Sequence, residues 1–166
     1  MAIKDAFIAE MKHEASLTQK MLEKVPFDNK DWKPHDKSMT IGRLATHIAE
    51  NSKWASDIVN IDDFDFMKDY VFNSHTAASQ EELLKTFQTN LDNGIADLSK
   101  MSDEDFEKIW TVRRGEEVMY KVPKKIAVRG WALSHMIHHR GQLSVFLRLL
   151  NIPVPGMYGP SADEKM

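Results

Sequence analysis

Residues 123–149 read PKKIAVRGWALSHMIHHRGQLSVFLRL, and the placing of histidines in this stretch governs how the rest of the chain is understood. Pro123 suits the first turn of a helix. Val128, Ala132, His135, His139, Gln142, Phe146 and Leu149 follow at three- and four-residue intervals, which predicts one long helix with these side chains as its inward seam. Successive helical residues are about 100° apart, so His135 and His139 share a face within reach of a single ion. A third histidine, His47, sits in another helical segment, IGRLATHIAEN at 41–51, beside Leu44 and Asn51 at the edge of its seam. If the two helices pack together, three neutral ring nitrogens converge on one side of a cation and leave the other side for water or substrate. His138 is three residues after His135 and could pair with it instead. The seam favours His139 and turns His138 to the flank, partly exposed.

Outward from this helix, residues 3–25 carry Phe7, Met11, Glu14, Thr18, Met21 and Val25 at helical spacing. Pro26 opens a polar connection that includes Pro34. Ser38 or Thr40 caps the second helix, in which Ile41, Leu44, Ile48, Asn51, Ala55 and Ile58 form one seam. Residues 60–78 are acidic and aromatic and read as a long irregular crossover. Ser79 with Glu82 has the form of a capping box, and a third helix runs to about residue 100, weakened locally by Asn93 and Gly94. Between 107 and 122 two β-prone runs flank Arg113, Arg114 and Gly115, the pattern of a short hairpin that builds either a pocket or an interface. The tail from Asn151 is too rich in proline and glycine for a helix, but Val154, Met157 and Tyr158 give it a means of docking. The expected fold is all-α: a four-helix bundle forming a single domain over 1–166, with a long crossover and a short β-hairpin before the last helix.

Composition narrows the chemistry. The 166 residues contain no cysteine, which excludes a thiolate nucleophile, a disulfide framework and a cysteine-held metal from this chain alone. Any metal is left to histidine, carboxylate and water. Imidazole donors suit Zn²⁺ or Ni²⁺ first, with Fe²⁺ or Mn²⁺ next. Twenty-two Lys and Arg against 25 Asp and Glu give a net charge of −3, and no basic run exceeds two residues, which argues against nucleic-acid binding. Neither a signal peptide nor a membrane span is expected, so the simplest location is the cytoplasm.

Two buried imidazoles without partners would cost about 1–3 kcal/mol each, a cost that metal ligation removes. Glu50, one turn after His47, and Glu14 on the first helix are candidates to accept from a ligand's second nitrogen or to act as a general base. Both are also ordinary positions for a solvated carboxylate. Gln142, one turn beyond His139, either bonds a bound water or is a buried structural amide. Tyr158 either contacts substrate and donates a proton or plugs the tail onto the bundle.

The runs TIGRLATHIAEN (40–51), HMIHHRGQL (135–143) and IPVPGMYGPSADE (152–164) resemble the DinB family of damage-inducible proteins, also described as DinB/YfiT-like metalloenzymes. The likeness spans nearly the whole chain in the right order. It implies a four-helix bundle, a homodimer, and a divalent metal on three histidines that match His47, His135 and His139. Arg140, Gly141 and Gln142 match the family's run, with Gly141 expected to permit close helix packing. Members of the family look like S-transferases and isomerases that use a low-molecular-weight thiol such as bacillithiol or mycothiol, or like metal-dependent hydrolases. The resemblance therefore implies a metal-dependent transferase or hydrolase acting on a small electrophile, with any thiol arriving as cosubstrate. The family name is tied to DNA damage, which implies stress-responsive expression; the charge balance argues against DNA contact. The competing expectation is a non-catalytic metal-binding helical dimer with a stress-related interaction role.

Overall fold

The first helix, α1 (Ile3–Leu22), buries Met11, Glu14, Ala15, Leu17, Thr18, Met21 and Leu22, the stripe its spacing predicts. In the computed structural model, which describes residues 2–69 and 75–164, α1 packs against a long helix α4 (Gln80–Lys100) and the last helix α7 (His135–Leu149). Of the two candidate caps for the next helix, Thr40 takes the role, its Oγ1 accepting from the Arg43 amide at 3.2 Å. The second helix is not continuous. It divides into α2 (Ile41–Asn51) and α3 (Trp54–Asn60), with Ser52 and Lys53 in a turn between them. The division lies against α4 (Gln80–Lys100), where a Cβ on Gly94 would come within 3.0 Å of Ala55 Cβ and 3.2 Å of the Ser52 carbonyl. Gly94 therefore does not weaken α4, which runs unbroken. It admits the neighbouring backbone at a distance that would crowd any Cβ. Ser79 caps α4 by accepting from the Glu82 amide, while the Glu82 carboxylate reaches the Ala78 amide at 2.7 Å, one residue earlier than a strict capping box.

The all-helical expectation is corrected by a three-stranded sheet in the order β1-β2-β3. After a short helix α5 (Asp103–Glu107), the hairpin expected at 107–122 forms as β2 (Ile109–Arg114) and β3 (Glu117–Pro123), turning at Gly115 with φ +62°. Strand β1 (Asp63–Asp65) lies parallel to β2, with Phe64 opposite Val112. It comes from the stretch expected to be irregular, because a parallel pairing between segments about fifty residues apart leaves no local period to detect. Of that stretch, residues 70–74 lie outside the described residues. The β2–β3 register slips between Val112 and Arg113, leaving Met119 as an extra residue on β3.

The last helix starts as α6 (Lys124–Ala127), widens into a π-helical segment (Val128–Ser134) and continues as α7 (His135–Leu149). Hydrogen bonds in a π turn span five residues rather than four, and the extra residue rotates everything after it. The expected seam of 135, 139, 142, 146 and 149 is accordingly displaced by one position: Met136, Arg140, Leu143 and Leu147 face the core. Gly141 is exposed, with open space where a Cβ would stand, so the expectation that it permits close packing is corrected too. Helix α2 packs against both α4 and α7, as α1 does, and the buried apolar side chains form one cluster. Among the described residues, no helix is long and apolar enough to cross a membrane.

Candidate metal centre

Displacing the seam moves His135 and His139 to its edge, on the side that meets α2. His139 is 9% exposed, His135 half-buried, and their rings lie 4.7 Å apart between centroids. From α2, His47 comes to 5.3 Å from the His135 ring and 4.6 Å from the His139 ring. One ring nitrogen from each of the three lies within 4.8 Å of those of the others, so they could hold a metal ion. The sequence-derived trio is thus brought together, while His138 is exposed and only its ring edge approaches His139, at 4.9 Å between centroids.

Each of the three rings has a different neighbour. The Nδ1 of His139 lies 2.7 Å from Gln142 Oε1, an acceptor, so Nδ1 carries the hydrogen and Nε2 keeps a free lone pair. The Trp131 carbonyl stands beside the His135 ring and, against the larger effect of burial, favours its protonated form. That carbonyl is open to it because the His135 amide bonds to Gly130, five residues back, instead of to Trp131 as in an α-helix. The Nδ1 of His47 stands 3.8 Å from Glu50 Oε2, too long for a hydrogen bond but within electrostatic reach. Glu50 in turn accepts from Arg43 Nη2 at 2.7 Å. Burial pushes the Glu50 carboxyl up, but His47 and the Arg43 guanidinium outweigh it and leave the group below its ordinary value. Burial, with help from the adjacent imidazoles, pushes His135 down to about 4 and His139 below its ordinary value. Both rings are therefore neutral at physiological pH, the state a metal requires.

The remaining candidates lie elsewhere. The Tyr158 hydroxyl donates to Glu14 Oε2 at 2.8 Å and accepts from Arg140 Nη2 at 2.5 Å. Glu14 is taken up by the buried Arg140 guanidinium at 2.6 Å and does not serve a histidine. This network fastens the tail to α1 and α7.

On its open side the cluster faces a cleft of about 690 Å³ lined by His47, His135, Trp54, Phe66, Met67, Met119, Trp131 and Arg114. The aromatic wall is continuous: Trp131 stands 5.0 Å from Trp54 and 5.6 Å from Trp110, and Trp54 5.1 Å from Phe64. Sequence reasoning missed these lining residues. Trp131, one turn before His135, was the one available signal; Phe66, Arg114 and Met119 come from segments whose pairing is long-range.

Comparison with known proteins agrees with this architecture. The uncharacterized protein YrdA of Bacillus subtilis strain 168 is 23% identical over 163 residues, covering 96% of this chain and 90% of YrdA. The crystal structure of a DinB-like protein from Bacillus cereus ATCC 10987 superposes with a TM-score of 0.71 at 23% identity, over 93% of this chain and 97% of that one. A DinB-like protein from Bacillus subtilis, YjoA, gives 0.67 at 19% identity over 97% and 99%. The DinB family model matches residues 1–165, and the chain belongs to the DinB family.

Proposed function

We propose that this protein is a metal-dependent enzyme that transfers a group to, or hydrolyses, a small electrophilic molecule seated in the cleft beside His47, His135 and His139. The observation that carries the reading is the one-sided arrangement: three imidazoles converge, and two of them also line an apolar cleft. A cation used only as a staple is usually closed by a fourth protein ligand, whereas an open face is what catalysis uses. The donor set suits Zn²⁺ or Ni²⁺ best, then Fe²⁺ or Mn²⁺, within the four-helix bundle formed by α1, α2, α4 and α7. A bound divalent cation supplies a Lewis acid that makes a water or a low-molecular-weight thiol nucleophilic near neutral pH.

In this reading the chain's own groups divide the remaining work. Gln142 fixes the tautomer of His139, and the Trp131 carbonyl stands beside the His135 ring. Glu50, kept ionised by Arg43, holds or accepts a proton at Oε2 beside His47. Trp54 and Trp131 exclude bulk water from the reacting centre. Tyr158 anchors the tail through Glu14 and Arg140. The partners proposed are a small-molecule substrate, a thiol cosubstrate for the transfer reaction, and a second copy of the chain.

The test is elemental analysis of untagged protein, beside His47→Ala and His139→Ala, followed by turnover of a panel of electrophiles with and without added thiol. Stoichiometric metal lost in both variants, with thiol-dependent turnover, supports the transferase form; turnover without thiol supports the hydrolase form. Full metal content in either variant, or a metal-loaded protein inert toward the panel, refutes the reading.

A further inference from the structure

The identity of the cleft's visitor can be narrowed, and the narrowing rests on the reading just proposed. The walls are apolar and soft: Trp54, Phe66 and Trp131 offer ring surface, Met67 and Met119 flexible thioethers. Met119 is there because it is the extra residue of the β3 bulge, turned to the same side as Val112 and Tyr120 instead of the opposite one. Histidines aside, Arg114 is the one ionisable group among the described lining residues. Its direction follows from strand alternation. Trp110 and Val112 on β2 point into the core, and Arg114 continues that row past the core's end into the cleft.

The neighbouring Arg113 points the other way and is held bidentately by Asp63 at 2.5 and 2.6 Å. Arg114 has no such partner. Glu117 is opposite it in the ladder, yet no ion pair joins them, and among the described residues none forms with any other carboxylate. A guanidinium at the mouth of an apolar cleft, with its fork of donors unspent, matches a carboxylate or sulfonate.

We infer that the cleft takes a flat, aromatic or otherwise apolar small molecule bearing one such anionic group, bound with the anion at Arg114 and the rest of the molecule directed along the aromatic wall toward the histidines. A volume near 690 Å³ is of the size that encloses a one- or two-ring ligand.

The probes are 2-naphthoate and its uncharged isostere 2-naphthamide, titrated into the full-length protein as purified and again after chelation. Binding is read by quenching of tryptophan fluorescence, to which Trp54 and Trp131 contribute. The expected result is roughly tenfold tighter binding of naphthoate. That preference weakens with added salt, survives chelation, and disappears in Arg114→Gln while naphthamide affinity stays the same. Equal affinity for the two probes, a preference unchanged in Arg114→Gln, or no saturable quenching by either overturns the inference. A preference that vanishes on chelation and ignores Arg114→Gln belongs to the metal: it defeats the role given to Arg114 but leaves the metal reading standing. A protein without metal whose preference still depends on Arg114 fails the metal reading alone.

Discussion

Replacing Arg140 by methionine should be among the most damaging single changes in this protein, although Arg140 touches no ligand of the candidate site. Its side chain is 3% exposed and that of Glu14 7%, with 2.6 Å between Nη2 and Oε2. Nη1 donates to the Glu14 carbonyl at 3.0 Å and to Thr18 Oγ1 at 3.1 Å, and Nη2 to the Tyr158 hydroxyl at 2.5 Å. Removing the guanidinium leaves a buried carboxylate with one hydroxyl donor, and breaking a buried pair from one side costs about 3–5 kcal/mol. At a urea m-value of about 2 kcal/mol/M, the unfolding midpoint should fall by roughly 1.5–2.5 M. Arg140→Met with Glu14→Leu removes both charges, so the double variant should recover about 2 kcal/mol or more against the sum of the single ones. Tyr158→Phe, which leaves the ion pair intact, should cost about 1 kcal/mol. Equilibrium urea denaturation of the parent protein and the four variants, Glu14→Leu alone included, measures all of these. A loss below 1 kcal/mol in Arg140→Met, or strict additivity in the cycle, would refute the account of this network as a mutually dependent buried pair.

Gly94→Ala adds a Cβ 3.0 Å from Ala55 Cβ and 3.3 Å from Met11 Cε. Overpacking there should outweigh the gain in helix propensity and lower the melting temperature by the equivalent of about 1–2 kcal/mol; a more stable variant contradicts the close α4 contact. Without metal, His135 and His139 resist protonation in the folded state, while the same residues in the unfolded chain take up protons near pH 6.5. Stability should be independent of these groups above about pH 7.5 and fall as the pH drops from about 6.5 toward 4. Denaturation of chelated protein across that window should show the slope, and His135→Asn should flatten it. Gln142→Met removes the acceptor for His139 Nδ1 and should weaken metal affinity roughly ten- to a hundredfold, with little change in the stability of the metal-free protein. Competition with a chromogenic chelator reads the first and a thermal melt the second; unchanged affinity would dissociate Gln142 from the site.

Much of the site was legible because its main signal is local. Spacing of four on a helix is a statement about one turn of backbone, and it paired His135 with His139 whatever lay around them. The accompanying seam was wrong from residue 135 onward, since a π turn leaves no mark in hydrophobic spacing until its displaced face is known. The trio still converged, because the histidines serve the site from the edge of the seam rather than from its centre. Glu14 was misassigned for the opposite reason: its partner, Arg140, lies 126 residues away and comes to the core side through that same displacement.

The chain by itself determined where its helices begin, through Thr40 and Ser79, which faces of α1, α2 and α4 are apolar, where the hairpin turns, and which side chains a metal would need. These are consequences of hydrogen bonds and spacings within a few residues. Tertiary structure decided the third strand, the division between α2 and α3 against Gly94, the rotation of α7, and the meeting of Arg114 with an aromatic cleft. Each of those depends on which distant surface is buried against which, and burial is a property of the assembled molecule that no short window of residues contains.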